Sequence, residues 1–345
     1  MRPPLVKELF EHRFAQILHE YPLAEQIAPD VRIAVESGAI GLESYLRHEL
    51  RESEYPHLRH RYQAVPLYLQ HLLWEVGREY AGHPDNYDRL ITEALKFERA
   101  TFVTLNYDTI FDRRLSLDRP IASMDDYARR EDRWSLIKLH GSINWGRVVV
   151  GTESSESALV GLAGSGRHPL RTYAEDFAAL GENLEFQGPI VFRKGDYLPD
   201  FRSVDIGWEP PPHPYSLVST RGIGERGYQL TYPALSVPLG AEDELVCPES
   251  HIKCLWEHMT YAFDGLNVLV IGYSGIDNEV LNLIAQSGRR VKAIKVVNGS
   301  SELGLSAAEV FGKRLGFAVD SDKVFPGGFT DFAQSSAMAD YLNAL

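Results

Sequence analysis

An α/β fold, with a parallel sheet covered by helices on both faces, is what this sequence predicts. Segments 102–105, 136–139, 268–271 and Val291–Val297 are short runs rich in Val, Ile and Leu, the texture of strands buried on both faces. Helical patterns follow two of them, over 278–287 and 306–315, and strand–helix alternation implies parallel pairing. The first two runs also break off abruptly into polar residues, as strands do when their tips open into a ligand crevice.

Ahead of the first run, residues 3–98 read as helical. Leu5, Leu9, Phe10, Phe14, Ile17 and Leu18 recur at helical spacing, as do Leu42, Tyr45, Leu46 and Leu50. A third helix is expected to start near Pro66, a residue suited to a first turn, and to run through Leu69, Leu72, Leu73 and Val76. Asp85 or Asn86 would cap a fourth, carrying Leu90, Ile91, Ala94 and Leu95. Segment 317–319 is expected as an edge strand and 331–345 as a closing helix. The organisation expected is a helical subdomain over 1–98 and a Rossmann-like domain over 99–345. An insertion of loops and short strands at about 146–240, rich in Gly and Pro, interrupts that domain.

Composition narrows the function. The formal charge is −13, from 48 acidic against 35 basic residues, and no Lys/Arg run tracks a phosphate backbone, so direct nucleic acid binding is not expected. No apolar run approaches the ~20 residues of a membrane span, and no secretory leader pattern stands at the N-terminus. Two cysteines, Cys247 and Cys254, are too few for a disulfide framework or a four-cysteine zinc site and read as buried thiols. No metal is expected, and a reducing cytoplasm is the expected compartment.

Four strand tips carry polar chemistry. Asn106 and Asp108 follow the first run; the structural alternative is that Asp108 or Thr109 caps the next helix. His140 and Gly141 follow the second, where glycine admits a ligand or a backbone at close range and a lone histidine is often structural. Gly272-Tyr273-Ser274-Gly275-Ile276-Asp277 follows the third, a phosphate cradle of backbone N–H groups or an ordinary strand-to-helix turn. Asn298 ends the fourth, where doubly wound folds bind a ribose, or it forms an Asn-Gly turn with Gly299.

The ordered set Thr-Leu-Asn-Tyr-Asp (104–108), Lys-Leu-His-Gly-Ser-Ile-Asn-Trp (138–145) and Val-Ile-Gly-Tyr-Ser-Gly-Ile-Asp (270–277) resembles the sirtuin-like family, in its bacterial NAD-consuming, anti-phage branch. The resemblance covers roughly residues 100–300. It implies Asn106 and His140 as the catalytic pair, with Asp108, Gly141, Gly272, Ser274 and Asn298 around NAD as substrate. Two departures stand out. The Gly-Ala-Gly-Ser type loop that wraps the NAD phosphates in such folds is missing, which leads to the expectation of a true start upstream, or else an incomplete site. The zinc-binding cysteine quartet of protein-deacylating sirtuins is missing too, which argues against peptide deacylation.

The activity implied is NAD glycohydrolysis, with a non-catalytic nucleotide-binding or partner-assembly module as the alternative. No sensor segment is evident in the sequence, so control by homo-oligomerisation or by a separately encoded ATPase or Argonaute-like partner is expected.

Overall fold

The structure is a computed structural model. It describes residues 8–37, 45–51, 53–80, 85–151, 184–191, 218–219, 228–229, 231–235, 246–262, 264–273, 278–316 and 320–345. The expected 317–319 strand and Ser274 lie outside these residues, as does most of the 146–240 insertion.

Helical turns at His12–Phe14 and Ala15–Leu18 lead into α1 (Pro22–Glu36); a π-helical segment, Tyr45–Arg51, precedes α2 (Pro56–Tyr80). Here the structure corrects the sequence reading: Pro66 lies inside α2, ten residues past its start, and does not begin a helix. An interior proline costs a helix about 3 kcal/mol. Yet Ala64, Val65, Leu67, Tyr68, Leu69 and Leu72 are all buried around it. At roughly 1.5–3 kcal/mol per large apolar side chain, their burial outweighs the lost hydrogen bond several times over. This cluster also takes in Leu9, Phe10, Ile27, Val31, Ile143 and Leu235, so the helices pack on the strands that follow. Gln70 Nε2 donates to the Ile143 carbonyl at 2.8 Å across that seam.

After α3 (Asp85–Ala94) comes a parallel pair, β1 (Ala100–Thr104) and β2 (Trp134–Lys138), in register from Ala100 opposite Trp134 to Thr104 opposite Lys138. Between them α4 (Ile110–Leu115) returns the chain. From the tip of β2 the chain turns into β3 (Gly141–Gly151), which pairs antiparallel with β4 (Leu184–Val191) and β5 (Thr231–Leu235). A short antiparallel pair joins Val218–Ser219 to Tyr228–Gln229.

Helix α5 (Glu249–Tyr261) then opens a second parallel sheet. Strand β6 (Leu266–Ile271), helix α6 (Asn278–Gln286), strand β7 (Val291–Val297), helix α7 (Ser301–Leu315) and strand β8 (Val324–Phe325) follow, with strand order β6-β7-β8. The chain closes on α8 (Gly328–Gln334) and α9 (Ser336–Asn343), two helices where the sequence suggests one; Ser335 separates them and caps α9 through Ala337 N–H. The chain is thus α/β, with parallel sheets flanked by helices. Among the described residues no helix is long and apolar enough to cross a membrane.

Tyr87 on α3 packs edge-on against Phe111 of α4 and Phe329 of α8, with ring centroids 5.6 and 5.1 Å away, so the helices after β1 and after β8 meet on α3.

Candidate functional site

Asn106 and His140 lie two residues beyond β1 and β2. The register ends with Thr104 opposite Lys138, closed by Leu139 N–H donating to the Thr104 carbonyl at 3.2 Å, so Asn106 and His140 each follow the end of one of two adjacent strands. The Asn106 side chain is exposed, and its backbone N–H is tied to Thr104 Oγ1 at 3.0 Å. His140 is half-buried with its ring 6.3 Å from that of Tyr107.

Asp108 does what its structural alternative requires and more. Its Oδ1 accepts Ile110 N–H at 2.9 Å at the start of α4, while the residue also lines the cavity described below. Burial pushes its carboxyl above the usual range, and Lys138 opposes that rise. Burial, together with the negative charge of Asp108, pushes the Tyr87 phenol up to about 12.

Beneath the tips runs a polar network that the sequence reading did not single out. Lys138 and Asp112 are fully buried and paired at 3.0 Å. Lys138 Nζ also donates to the Asp108 carbonyl at 2.6 Å. Asp112 Oδ1 accepts the Tyr127 hydroxyl at 2.7 Å, Tyr127 in turn accepts Asn144 Nδ2 at 3.0 Å, and Ser142 Oγ donates to Asn144 Oδ1 at 2.5 Å. The Tyr107 carbonyl receives Ile143 N–H at 2.9 Å. The Asn-Tyr-Asp and His-Gly tips are thus clamped together from below by Lys138, Asp112, Tyr127, Ser142 and Asn144. The signal was present in one place: a lysine inside the apolar run Leu-Ile-Lys-Leu needs a buried partner.

Gly141 has φ +84°, and a Cβ there would sit 1.9 Å from the Ala234 carbonyl oxygen. The close approach that demands glycine is made by the β5 backbone, the second of the two possibilities raised by the sequence. Gly272, at the β6 tip, also has positive φ (+64°), but a Cβ there would meet no atom within 4 Å. Among the described residues nothing opposes a side chain there, and its N–H is spent on the Val297 carbonyl at 2.9 Å. Asn298 lies level with it at the β7 tip, its Oδ1 accepting Gly299 N–H at 2.8 Å, the local turn bond. The cysteines are buried and unbridged.

A cavity of about 1040 Å³ reaches these tips. Asn106, Asp108, Gly272 and Tyr273 line it; His140, Gly141 and Asn298 do not. The lining therefore includes an exposed amide, a carboxylate with a raised pKa and a glycine, and the His140 imidazole follows the strand next to the one that carries the amide. Such a set can hold a polar ligand, position a water and accept a proton. Comparison with family models, curated proteins and solved structures finds no match for this chain.

Proposed function

We propose that this chain is an NAD glycohydrolase. The observation that supports the reading is that Asn106 and His140 follow the ends of two adjacent parallel strands by two residues each, with Asn106, Asp108 and Gly272 lining one cavity. Nicotinamide in NAD is cationic and leaves as a neutral base, taking the electron pair of the broken glycosidic bond, so the leaving group needs no general acid. The ribose carbon becomes oxocarbenium-like. Asn106 positions a water against it, the water oxygen bonds to the anomeric carbon, and His140 takes the water's proton. Asp108 would contact the substrate's carboxamide, and Gly272, whose N–H is given to Val297, would serve by admitting the substrate at close range. The expected products are nicotinamide and ADP-ribose, or its cyclised form if a ribose hydroxyl replaces water. Depletion of cytoplasmic NAD as anti-phage defence, controlled by oligomerisation or a separate partner, is the biological role proposed with this activity.

The test is nicotinamide release. His140→Ala and Asn106→Ala, each checked for unchanged denaturation midpoint, are expected to lose roughly 100-fold or more of the rate. Wild-type rates in either variant sink the role assigned to that residue. The second reading, a non-catalytic nucleotide-binding or assembly module, is favoured by β1, which leads to Asn106 and pairs with β2 alone among the described residues. Calorimetric NAD binding without nicotinamide release would select it.

A further inference from the structure

Just past His140 the chain leaves the sheet ladder. In the β3–β5 pairing Gly141 stands opposite Leu235 and Gly146 opposite Pro233, so residues 142–145 face Ala234 alone. Trp145 is taken up by Val191 of β4, which leaves Ser142, Ile143 and Asn144 without a ladder partner in either pairing. A bulge of this kind beside a strand tip aims the side chains next to it. All three residues are fully buried, so their peptide groups need partners from elsewhere. Ile143 finds two. Its N–H donates at 2.9 Å to the carbonyl of Tyr107, the residue between Asn106 and Asp108, and its own carbonyl accepts Gln70 Nε2 at 2.8 Å. The other flank of the bulge is fixed by Ser142 Oγ, which donates to Asn144 Oδ1, and by Asn144 Nδ2, which donates to the Tyr127 hydroxyl.

Among the described residues of α2, Gln70 is the one buried polar side chain, set between the buried Leu69 and Leu72. An amide in an apolar helical core is unfavourable without a partner, and a leucine or methionine would pack there as well. What glutamine adds is a fixed tie between α2 and the bulge. On the His140 side the chain has little slack: Leu139 N–H is bonded to the Thr104 carbonyl, and Gly141, at φ +84°, lies against the Ala234 carbonyl with no room for a Cβ. A shift of Ile143 is passed back along these two residues to His140 and across its N–H to the Asn106 tip. We infer that Gln70 is a positioning residue, whose hydrogen bond to the Ile143 carbonyl sets His140 against Asn106 through the backbone of the bulge. This deepens the hydrolase reading and rests on it for the effect on rate, though not for the geometry.

The test replaces Gln70 by methionine in the whole chain, which keeps the length of the side chain and removes the donor; Gln70→Leu, which also lacks it, repeats each measurement should the first variant not fold. Ile27→Val, in the same helical core, is the control, since it loosens the packing and removes no hydrogen bond. Nicotinamide release by Gln70→Met is expected to fall at least about tenfold, with kcat and kcat/KM falling together, because a misplacement of about 1 Å at reacting groups costs up to about 100-fold. Ile27→Val should keep the wild-type rate. In a His140→Ala background Gln70→Met should lose less than about threefold more, since the group it positions is gone. The His140 imidazole resonance, assigned by its absence from His140→Ala, should shift in Gln70→Met and not in Ile27→Val. Wild-type rates in Gln70→Met, an equal loss in Ile27→Val, or the full loss repeated on top of His140→Ala overturns the inference. A wild-type protein that releases no nicotinamide sinks the hydrolase reading alone. The resonance then decides the role of Gln70, and an imidazole unmoved in Gln70→Met overturns it.

Discussion

Replacing Lys138 by methionine tests whether the network under the strand tips holds the candidate site. Lys138 and Asp112 are both fully buried, 3.0 Å apart, so removal of the ammonium leaves an uncompensated carboxylate inside the protein. Breaking a buried pair in this way costs roughly 3–5 kcal/mol. Loss of the donation to the Asp108 carbonyl, 2.6 Å in the wild type, adds about 1 kcal/mol. Against a typical domain stability of about 5–15 kcal/mol that is a large share. The double variant Lys138→Met/Asp112→Asn removes the charge and keeps an oxygen at position 112 for the Tyr127 hydroxyl, which donates to it at 2.7 Å in the wild type. It should recover more than half of the loss, giving a coupling of about 2 kcal/mol or more in the cycle. Urea denaturation at constant m-value reads both. A single variant that loses less than about 1 kcal/mol, or a double variant no better than the single, refutes the view that Asp112 is held as a charge by Lys138.

Two other outcomes follow from the same region. Gly141→Ala should lose at least about 2 kcal/mol and several degrees of thermal midpoint, since φ +84° and the Ala234 carbonyl both oppose a Cβ; Gly272→Ala, with a similar φ but open space, should lose only about 1 kcal/mol. Equal losses at the two glycines would contradict the backbone-approach explanation. Burial lowers the pKa of His251 and His258 on α5, so the unfolded chain binds protons more readily than the folded one. Their contribution is present above the unfolded value of about 6.5 and is lost as the pH falls below it toward the folded values. Denaturation midpoints should therefore drop on acidification through pH 6.5, and His251→Gln/His258→Gln should flatten that drop; an unchanged slope would assign the acid sensitivity elsewhere.

What was legible in the sequence follows from which forces are local. Val291–Val297 was readable to the residue, because Val291, Ile294, Val296 and Val297 give it β-branched character with no helical period. The tips at Asn106 and His140 were readable because an apolar run stops at a polar residue whatever surrounds it. Strand β1 begins two residues before its apolar run, at Ala100, because pairing with Trp134 extends it. Pro66 misled because interior proline is disfavoured locally and tolerated only when tertiary burial exceeds its penalty, and burial is not a local property. The Lys138–Asp112–Tyr127–Asn144 network joins partners 15 to 26 positions apart, from two strands, a helix and a 3-10 turn. No spacing rule connects them, and only the buried lysine hinted that a partner existed.

The candidate site and the buried network share a strand end. With β2 as its only strand neighbour among the described residues, β1 is held by that pairing, by the Lys138 donation under Asp108 and by Thr101, whose Oγ1 lies 2.9 Å from His258 Nδ1. Ordering a catalytic tip lowers the entropy lost on reaching the reactive geometry, so a Lys138→Met protein held below its denaturation midpoint should release nicotinamide more slowly than the wild type. Unchanged turnover in the folded variant would separate the network from the site and leave Lys138 a purely structural role.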